Sequence, residues 1–208
     1  LKAVAAQGFG ADAASANEVL LAEQSGIPSD RIYYSAPGKT LQDIQKVWGK
    51  CTIIADSLSE LDRLEQCATV NNERIAVGVR VNPDFSMNGD SAVSSKFGID
   101  EEQLITADLR FPHLKIIGIH VHLRSQILDA DILCEYYRNC YMLAERMRGR
   151  SGVEIQFINF GSGIGTVYDS ASEKPLALEK VGQTLQTLGA KNNGSLQAKF
   201  ILETGRFV

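Results

Sequence analysis

Short apolar runs and helically spaced polar stretches alternate along this chain from one end to the other. Leu1 to Gly8 reads as the tail of a helix closed by its C-terminal glycine. Phe9 to Ala14 is a short strand of small residues, and Ser15 to Ser25 a helix, with Ser15 as N-cap, Glu18 three residues on, and Val19, Leu20, Leu21 and Ala22 as apolar positions. Ile32 to Tyr34 predicts a strand and Thr40 to Trp48 a helix. Cys51 to Ala55 is the next strand, and Asp56 or Ser57 caps a helix carrying Leu58, Leu61, Leu64 and Cys67 at helical spacing. Ile75 to Val81 is a strand ended by Asn82-Pro83. A polar loop from Asp84 to Ser95 leads to a short helix near Glu101 to Ala107. Leu114 to His122 is another strand, followed by a long helix from about Asp129 to Arg148. The pattern closes with a strand at Ile155 to Phe160, a helix from about Leu176 to Leu188 and a strand at Ala198 to Glu203.

That is seven strands, each but the last followed by a helix. Several are continuous apolar runs, which implies burial on both faces and hence a parallel sheet. The helix ahead of the first strand implies one more strand before residue 1, making the eight of a (β/α)8 barrel, a fold that typically takes about 250 residues. An open doubly wound sheet is the alternative. It wants its phosphate-binding glycines after the first strand, and no GxGxxG stands there. Here the glycines follow the penultimate strand, where barrels often seat a phosphate, so the barrel is preferred. Both ends read as interior positions, and the expectation is a piece of a longer protein whose barrel domain occupies residues 1–208, from the second strand to the eighth.

Composition narrows the function classes. The 208 residues are 44% hydrophobic with a formal charge of -4 and no basic run, so neither nucleic acid nor an anionic membrane surface is an expected partner. No apolar stretch approaches the roughly 18 residues needed to span a bilayer. Cys51, Cys67, Cys134 and Cys140 form no CxxC pair and the three histidines no HExxH, which favours reduced, mostly buried thiols in a cytoplasmic protein over a disulfide or a metal site.

In a barrel the functional groups stand at the C-terminal ends of the strands. Read that way, the sequence offers Asp12, Arg80, His122 with Arg124 and Ser125, the Gly161 to Gly165 loop, Glu203 and Arg206. Each has a plainer reading. Asp12 and Ser15 serve as helix caps, Arg80 as an ion-pair partner, and His120 and His122, two apart on one strand face, as hydrogen-bonded core. Glu203 is hardest to dismiss, because a carboxylate closing a buried apolar strand needs a cation or donors to offset its desolvation.

Taken in order, Gly-Ile-His-Val-His-Leu-Arg-Ser-Gln (118–126), Asn-Phe-Gly-Ser-Gly-Ile-Gly (159–165) and Glu-Thr-Gly-Arg (203–206) resemble the HxHxGSQ, GGGLG and EPGR motifs of diaminopimelate decarboxylases. Those belong to the alanine-racemase-fold, pyridoxal-phosphate-dependent decarboxylases. Gly10 to Ser15 with Glu18, Gly38-Lys39-Thr40, Asp56-Ser57 with Glu60-Leu61, Arg80 to Pro83 and Ser95 to Ile99 match in the same order, so the resemblance covers nearly the whole chain. It implies pyridoxal 5'-phosphate as cofactor and decarboxylation of an amino acid, most of all meso-diaminopimelate to L-lysine. Relatives acting on ornithine, arginine, carboxynorspermidine or carrier-bound amino acids, and inactive pyridoxal-binding relatives, remain as alternatives.

The resemblance also implies roles. Glu203 pairs with the pyridine nitrogen and His122 stacks on the ring. Gly161, Ser162, Gly163, Thr204, Gly205 and Arg206 hold the phosphate end with Ser125 close by, and Arg206 also serves the substrate carboxylate. Asp12 and Arg80 line the floor. The family's Schiff-base lysine falls before residue 1, and a C-terminal β-domain completing the site across a homodimer falls beyond residue 208. Without them this piece is expected to be inactive. Arg124 in place of a glycine, Ser162 in place of the middle glycine and Thr204 in place of a proline are the departures.

Overall fold

The computed structural model describes residues 1–87, 95–150 and 152–205. In order it forms α1 (Lys2–Ala6), β1 (Ala11–Ala13), α2 (Ala16–Gln24), β2 (Ile32–Tyr34), α3 (Leu41–Lys46), β3 (Thr52–Ala55), α4 (Leu58–Asn71) and β4 (Ile75–Asn82). A two-residue β5 (Ile99–Asp100) and α5 (Glu101–Thr106) come next. Then follow β6 (Leu114–His120), α6 (Ala130–Arg148), β7 (Val153–Asn159), α7 (Leu178–Asn193) and β8 (Lys199–Ile201).

The helices start where the sequence provides caps. The Ser15 hydroxyl accepts from Glu18 N (3.2 Å), and the Glu18 carboxylate in turn accepts from Ala14 N (2.6 Å). Ser57, rather than Asp56, caps α4, which leaves the Asp56 side chain free for another purpose. Asp129 accepts from two N–H groups at the start of α6. α7 runs five residues beyond the expected Leu188, to Asn193. β5 is too short to leave a periodic signal and was not foreseen.

All strand pairs are parallel, in the order β1-β2-β3-β4-β6-β7-β8, with β5 attached to the end of β4. Each strand lies beside its predecessor with no reversal of order, which is barrel topology and not the switch-point order of a doubly wound sheet. Among the described residues no ladder joins β8 to β1, the gap an eighth strand would fill. The larger core lies between sheet and helices, and a smaller inner cluster of Tyr33, Ile54 and Phe157 fills the barrel interior. The Phe157 ring lies across Gly78 and Gly118, where a Cβ would stand 2.7 Å and 2.5 Å from it. No described helix is long and apolar enough to cross a membrane.

A bulge in β6 controls what points inward. Against β4 the register steps from Val77↔Ile116 to Gly78↔Gly118, leaving Ile117 over. Ile117 packs with the inner cluster, Gly118 faces the Phe157 ring, and Ile119 lies in the outer core. Without the bulge, strict alternation from Ile116 would turn His120 outward; with it, His120 faces the interior.

Candidate cofactor site

Strand alternation builds the site directly above the inner apolar layer. Two residues beyond Gly78, Gly118 and Phe157 come Arg80, His120 and Asn159, which are Cα partners in register across β4, β6 and β7. Two beyond Ile54 and Ile201 come Asp56 and Glu203. One step along each strand thus converts an apolar layer into a layer of charged and polar groups at the C-terminal mouth.

Glu203 is the centre of that layer. Its N–H donates to Gly161 O (2.9 Å), which fixes it beside the glycine loop. Its Oε1 accepts from Asn159 Nδ2 (2.9 Å). Because Asn159 Oδ1 is already taken by Gly161 N (2.9 Å), the amide can only donate toward Glu203. His120 Nε2 lies 3.3 Å from the same Oε1, too far off the ring N–H axis for a hydrogen bond. Among the described residues, no hydrogen bond reaches Oε2. Burial pushes the Glu203 carboxyl up, but His120, Asn159 and His122 together outweigh it and hold the group below the usual carboxylate range.

Asp12 faces Glu203 from β1. It stands on the open edge of the sheet and keeps solvent contact, yet the protein around it still excludes water. That desolvation, with the Glu203 charge adding, raises its carboxyl to about 6 against a bond from the buried Ser35 hydroxyl (2.6 Å) that pulls the other way. Arg80 is held from two sides: NH1 is 3.6 Å from Asp56 Oδ1, and the guanidinium lies 4.8 Å over the Phe97 ring. Behind Asp56 is a fully buried pair, Lys39 Nζ to Glu60 Oε2 at 2.8 Å. Glu60 also accepts from the N–H groups of Asp56 (3.0 Å) and Lys39 (2.9 Å).

The glycine loop closes the mouth. Gly161 (φ +64°) and Gly163 (φ +151°) adopt conformations that L side chains resist, and a Cβ on Gly161 would stand 2.5 Å from Val121 O. Ser162 lies between them without a positive φ, so a serine is accommodated at this position. Its N–H donates to His122 Nδ1 (3.0 Å), and Ser125 Oγ lies 3.4 Å from His122 Nε2. That arrangement needs a neutral ring at Nδ1, and desolvation lowers the His122 pKa accordingly. His122 stands past the end of β6, so the two histidines do not share a strand face: His120 enters the barrel, His122 packs on the loop. Arg124 is exposed and does not crowd the loop.

The expected residues Asp12, Arg80, His122, Ser125, Gly161, Ser162, Gly163 and Glu203 thus gather at one mouth, with Thr204 and Gly205 continuing from Glu203. Arg206 lies outside the described residues. His120, read as core, belongs to the site, and so do Asn159 and Ser35, which the sequence reading gave no role, and Asp56, which it read as a possible helix cap. Only the inward phase of Phe157 and Ile54 could have indicated Asn159 and Asp56.

The arrangement fits pyridoxal phosphate. Among the described residues nothing hydrogen-bonds Glu203 Oε2, which leaves that oxygen to a cationic ring nitrogen. The N–H groups of Gly163 and Ile164 carry no hydrogen bond among the described residues, whereas those of Gly161 and Ser162 are already engaged. The buried lysine, Lys39, is committed to Glu60 and does not supply a Schiff-base amine. No group of His, Cys, Asp and Glu among the described residues is arranged to hold a metal.

Comparison with known proteins agrees. Residues 1–208 match the family described as pyridoxal-dependent decarboxylase, pyridoxal binding domain. The chain is 32% identical to the L-glutamyl-(BtrI acyl-carrier protein) decarboxylase of Niallia circulans and 31% identical to the diaminopimelate decarboxylase of Aquifex aeolicus, in each case over 97% of this chain and 49% of the relative. Among solved structures, the diaminopimelate decarboxylase of M. jannaschii in complex with L-lysine superposes with a TM-score of 0.85 at 26% identity, covering 99% of this chain and 50% of that one. The chain therefore spans about half the length of the relatives it matches.

Proposed function

We propose, from the premise that this chain belongs to the pyridoxal-dependent decarboxylases through their pyridoxal-binding domain, that the whole protein is a pyridoxal-phosphate-dependent carboxy-lyase converting meso-diaminopimelate to L-lysine and carbon dioxide. The observation that carries the reading is Glu203, beside the Gly161–Gly163 turn, with Asn159 and His120 at Oε1 and no hydrogen bond at Oε2 among the described residues. Pyridoxal phosphate supplies the electron sink that takes up the pair left behind when a carboxylate departs as carbon dioxide.

The chain's own residues prepare the site for that chemistry. Glu203, kept ionised, holds a proton on the ring nitrogen. His122, neutral and fixed by Ser162 N, offers a flat face at the mouth. Gly163 N, Ile164 N and Ser125 Oγ are available to the phosphate; the family resemblance assigns Thr204, Gly205 and Arg206 to the same end and gives Arg206 to the substrate carboxylate as well. Asp12 and Arg80 form the floor, where Arg80 favours an anionic substrate group. A Schiff-base lysine from an eighth strand and residues from a second domain across a homodimer belong to this reading, and residues 1–208 act as its barrel domain.

The substrate follows the Aquifex aeolicus relative. A second reading, decarboxylation of a carrier-bound glutamate, is supported by the slightly higher identity to the Niallia circulans enzyme. Carbon dioxide release by the full-length protein from diaminopimelate, lysine, ornithine, arginine and glutamyl carrier protein separates the two. Diaminopimelate should be turned over fastest; turnover of the carrier-bound substrate alone selects the second reading, and release from none rejects both.

A further inference from the structure

His120 is 2% exposed, and among the described residues neither ring nitrogen has a hydrogen-bond partner. An unsatisfied buried polar group costs on the order of 1–3 kcal/mol. A hydrophobic residue would avoid that cost, yet the bulge at Ile117 turns this imidazole inward, 3.3 Å from Glu203 Oε1. The surrounding groups explain what it does there. Asp12 approaches from β1 with Ser35 behind it, Arg80 from β4, Asn159 from β7 and His122 from the loop after β6. Asn159 supplies Oε1 with one donor and no charge. With Asn159 as the one polar group at Oε1, a carboxylate this enclosed and facing Asp12 would be free to turn and would take up a proton more readily, presenting a donor, not an acceptor, to its ligand.

We propose that His120 is a positioning residue for Glu203: its Nε2 edge, 3.3 Å from Oε1, confines that oxygen beside Asn159, so that Oε2 is presented as an acceptor to a cationic ring nitrogen. His120 touches neither cofactor nor substrate in this account; it acts through Glu203. The inference rests on the reading of Glu203 as the nitrogen partner of pyridoxal phosphate.

The test uses two amide replacements of equal polarity in the full-length protein. His120→Gln keeps a donor at the position of Nε2, whereas His120→Asn ends one bond short of it. Pyridoxal phosphate affinity is read by fluorescence titration of cofactor-stripped protein across pH, with thermal melting to verify folding. His120→Asn should weaken binding about tenfold, the effect of losing one charge-assisted contact worth roughly 1.4 kcal/mol. It should also move the acid limb of binding to higher pH, because Glu203 then protonates more readily. His120→Gln should restore most of the affinity. Glu203→Gln separates the two ideas. If His120 acts through Glu203, His120→Asn costs nothing further in the Glu203→Gln background. A loss that is equal in both backgrounds, an acid limb that does not move, or equal affinity of the Asn and Gln variants overturns the role of His120 alone. A Glu203→Gln protein that binds as tightly as wild type overturns the Glu203 reading beneath it.

Discussion

At the scale of single residues, the glycine turn and the two facing carboxyls are the points where substitution should tell most. Gly161→Ala forces a Cβ to within 2.5 Å of Val121 O at a φ of +64°, and Gly161 O is the acceptor for Glu203 N. The variant should lose on the order of 1–3 kcal/mol in urea denaturation and bind cofactor more weakly, because the strain moves the anchor of Glu203. Ser162→Ala, at a position without positive φ, should change neither. Asp12 makes a pH prediction. Its folded carboxyl holds its proton more tightly than an unfolded one, at about 6 against 3.8, so its contribution is fully present at low pH and is lost as pH rises through that window. Asp12→Asn keeps an acceptor for Ser35 and cannot ionise, so the stability of wild type relative to Asp12→Asn should fall between those two pH values and level off above them. A flat difference would remove Asp12 from the charge network around Glu203. The glycines, Glu203 and His122 were legible in the sequence because glycine after an apolar run and a carboxylate closing a strand are rare enough to signal. His120 was read with His122 on one strand face and as core; that it alone enters the barrel beside Glu203 depends on the one-residue bulge at Ile117, and a bulge inside an apolar run leaves no mark in the alternation.

At the scale of elements, two ties hold the strand ends in register with their helices. The buried Lys39–Glu60 pair joins the β2–α3 loop to α4, and Lys39 Nζ also donates to Ile54 O (2.7 Å) on β3. Removing the cation with Lys39→Met leaves Glu60 buried and unpaired, and should cost about 3–5 kcal/mol, with Lys39→Met/Glu60→Met recovering part of it. A double mutant no more stable than the single one would contradict this account of the pair. The second tie is Tyr136 of α6, whose hydroxyl lies 2.8 Å from Val121 O and 2.9 Å from Phe160 O, the residues just before His122 and Gly161 on the loops after β6 and β7. Tyr136→Phe should lower stability by about 1–2 kcal/mol and weaken cofactor binding without touching it. Helix starts were legible from Ser15, Ser57 and Asp129 because a side-chain oxygen followed by acidic or apolar positions has one structural use. β5 and the last turn of α7 were not, since two residues give no period and a polar helix end resembles a loop.

At the scale of the whole molecule, the alternation of seven strands with helices and the late position of the glycines sufficed to choose a barrel over an open sheet, and the strand order bears that out. Substrate choice was not legible to the same depth. Relatives matched over most of this chain at nearly equal identity are named for different substrates, so the likeness of this half does not choose between them. The central claim is that this mouth holds pyridoxal phosphate with Glu203 against its ring nitrogen. The most direct measurement is the pyridoxal phosphate retained by full-length protein after exhaustive dialysis, for wild type and for Glu203→Ala. The account predicts stoichiometric cofactor in the wild type and a large loss in the variant; a wild-type protein that retains none, or a variant that retains it equally, would contradict it.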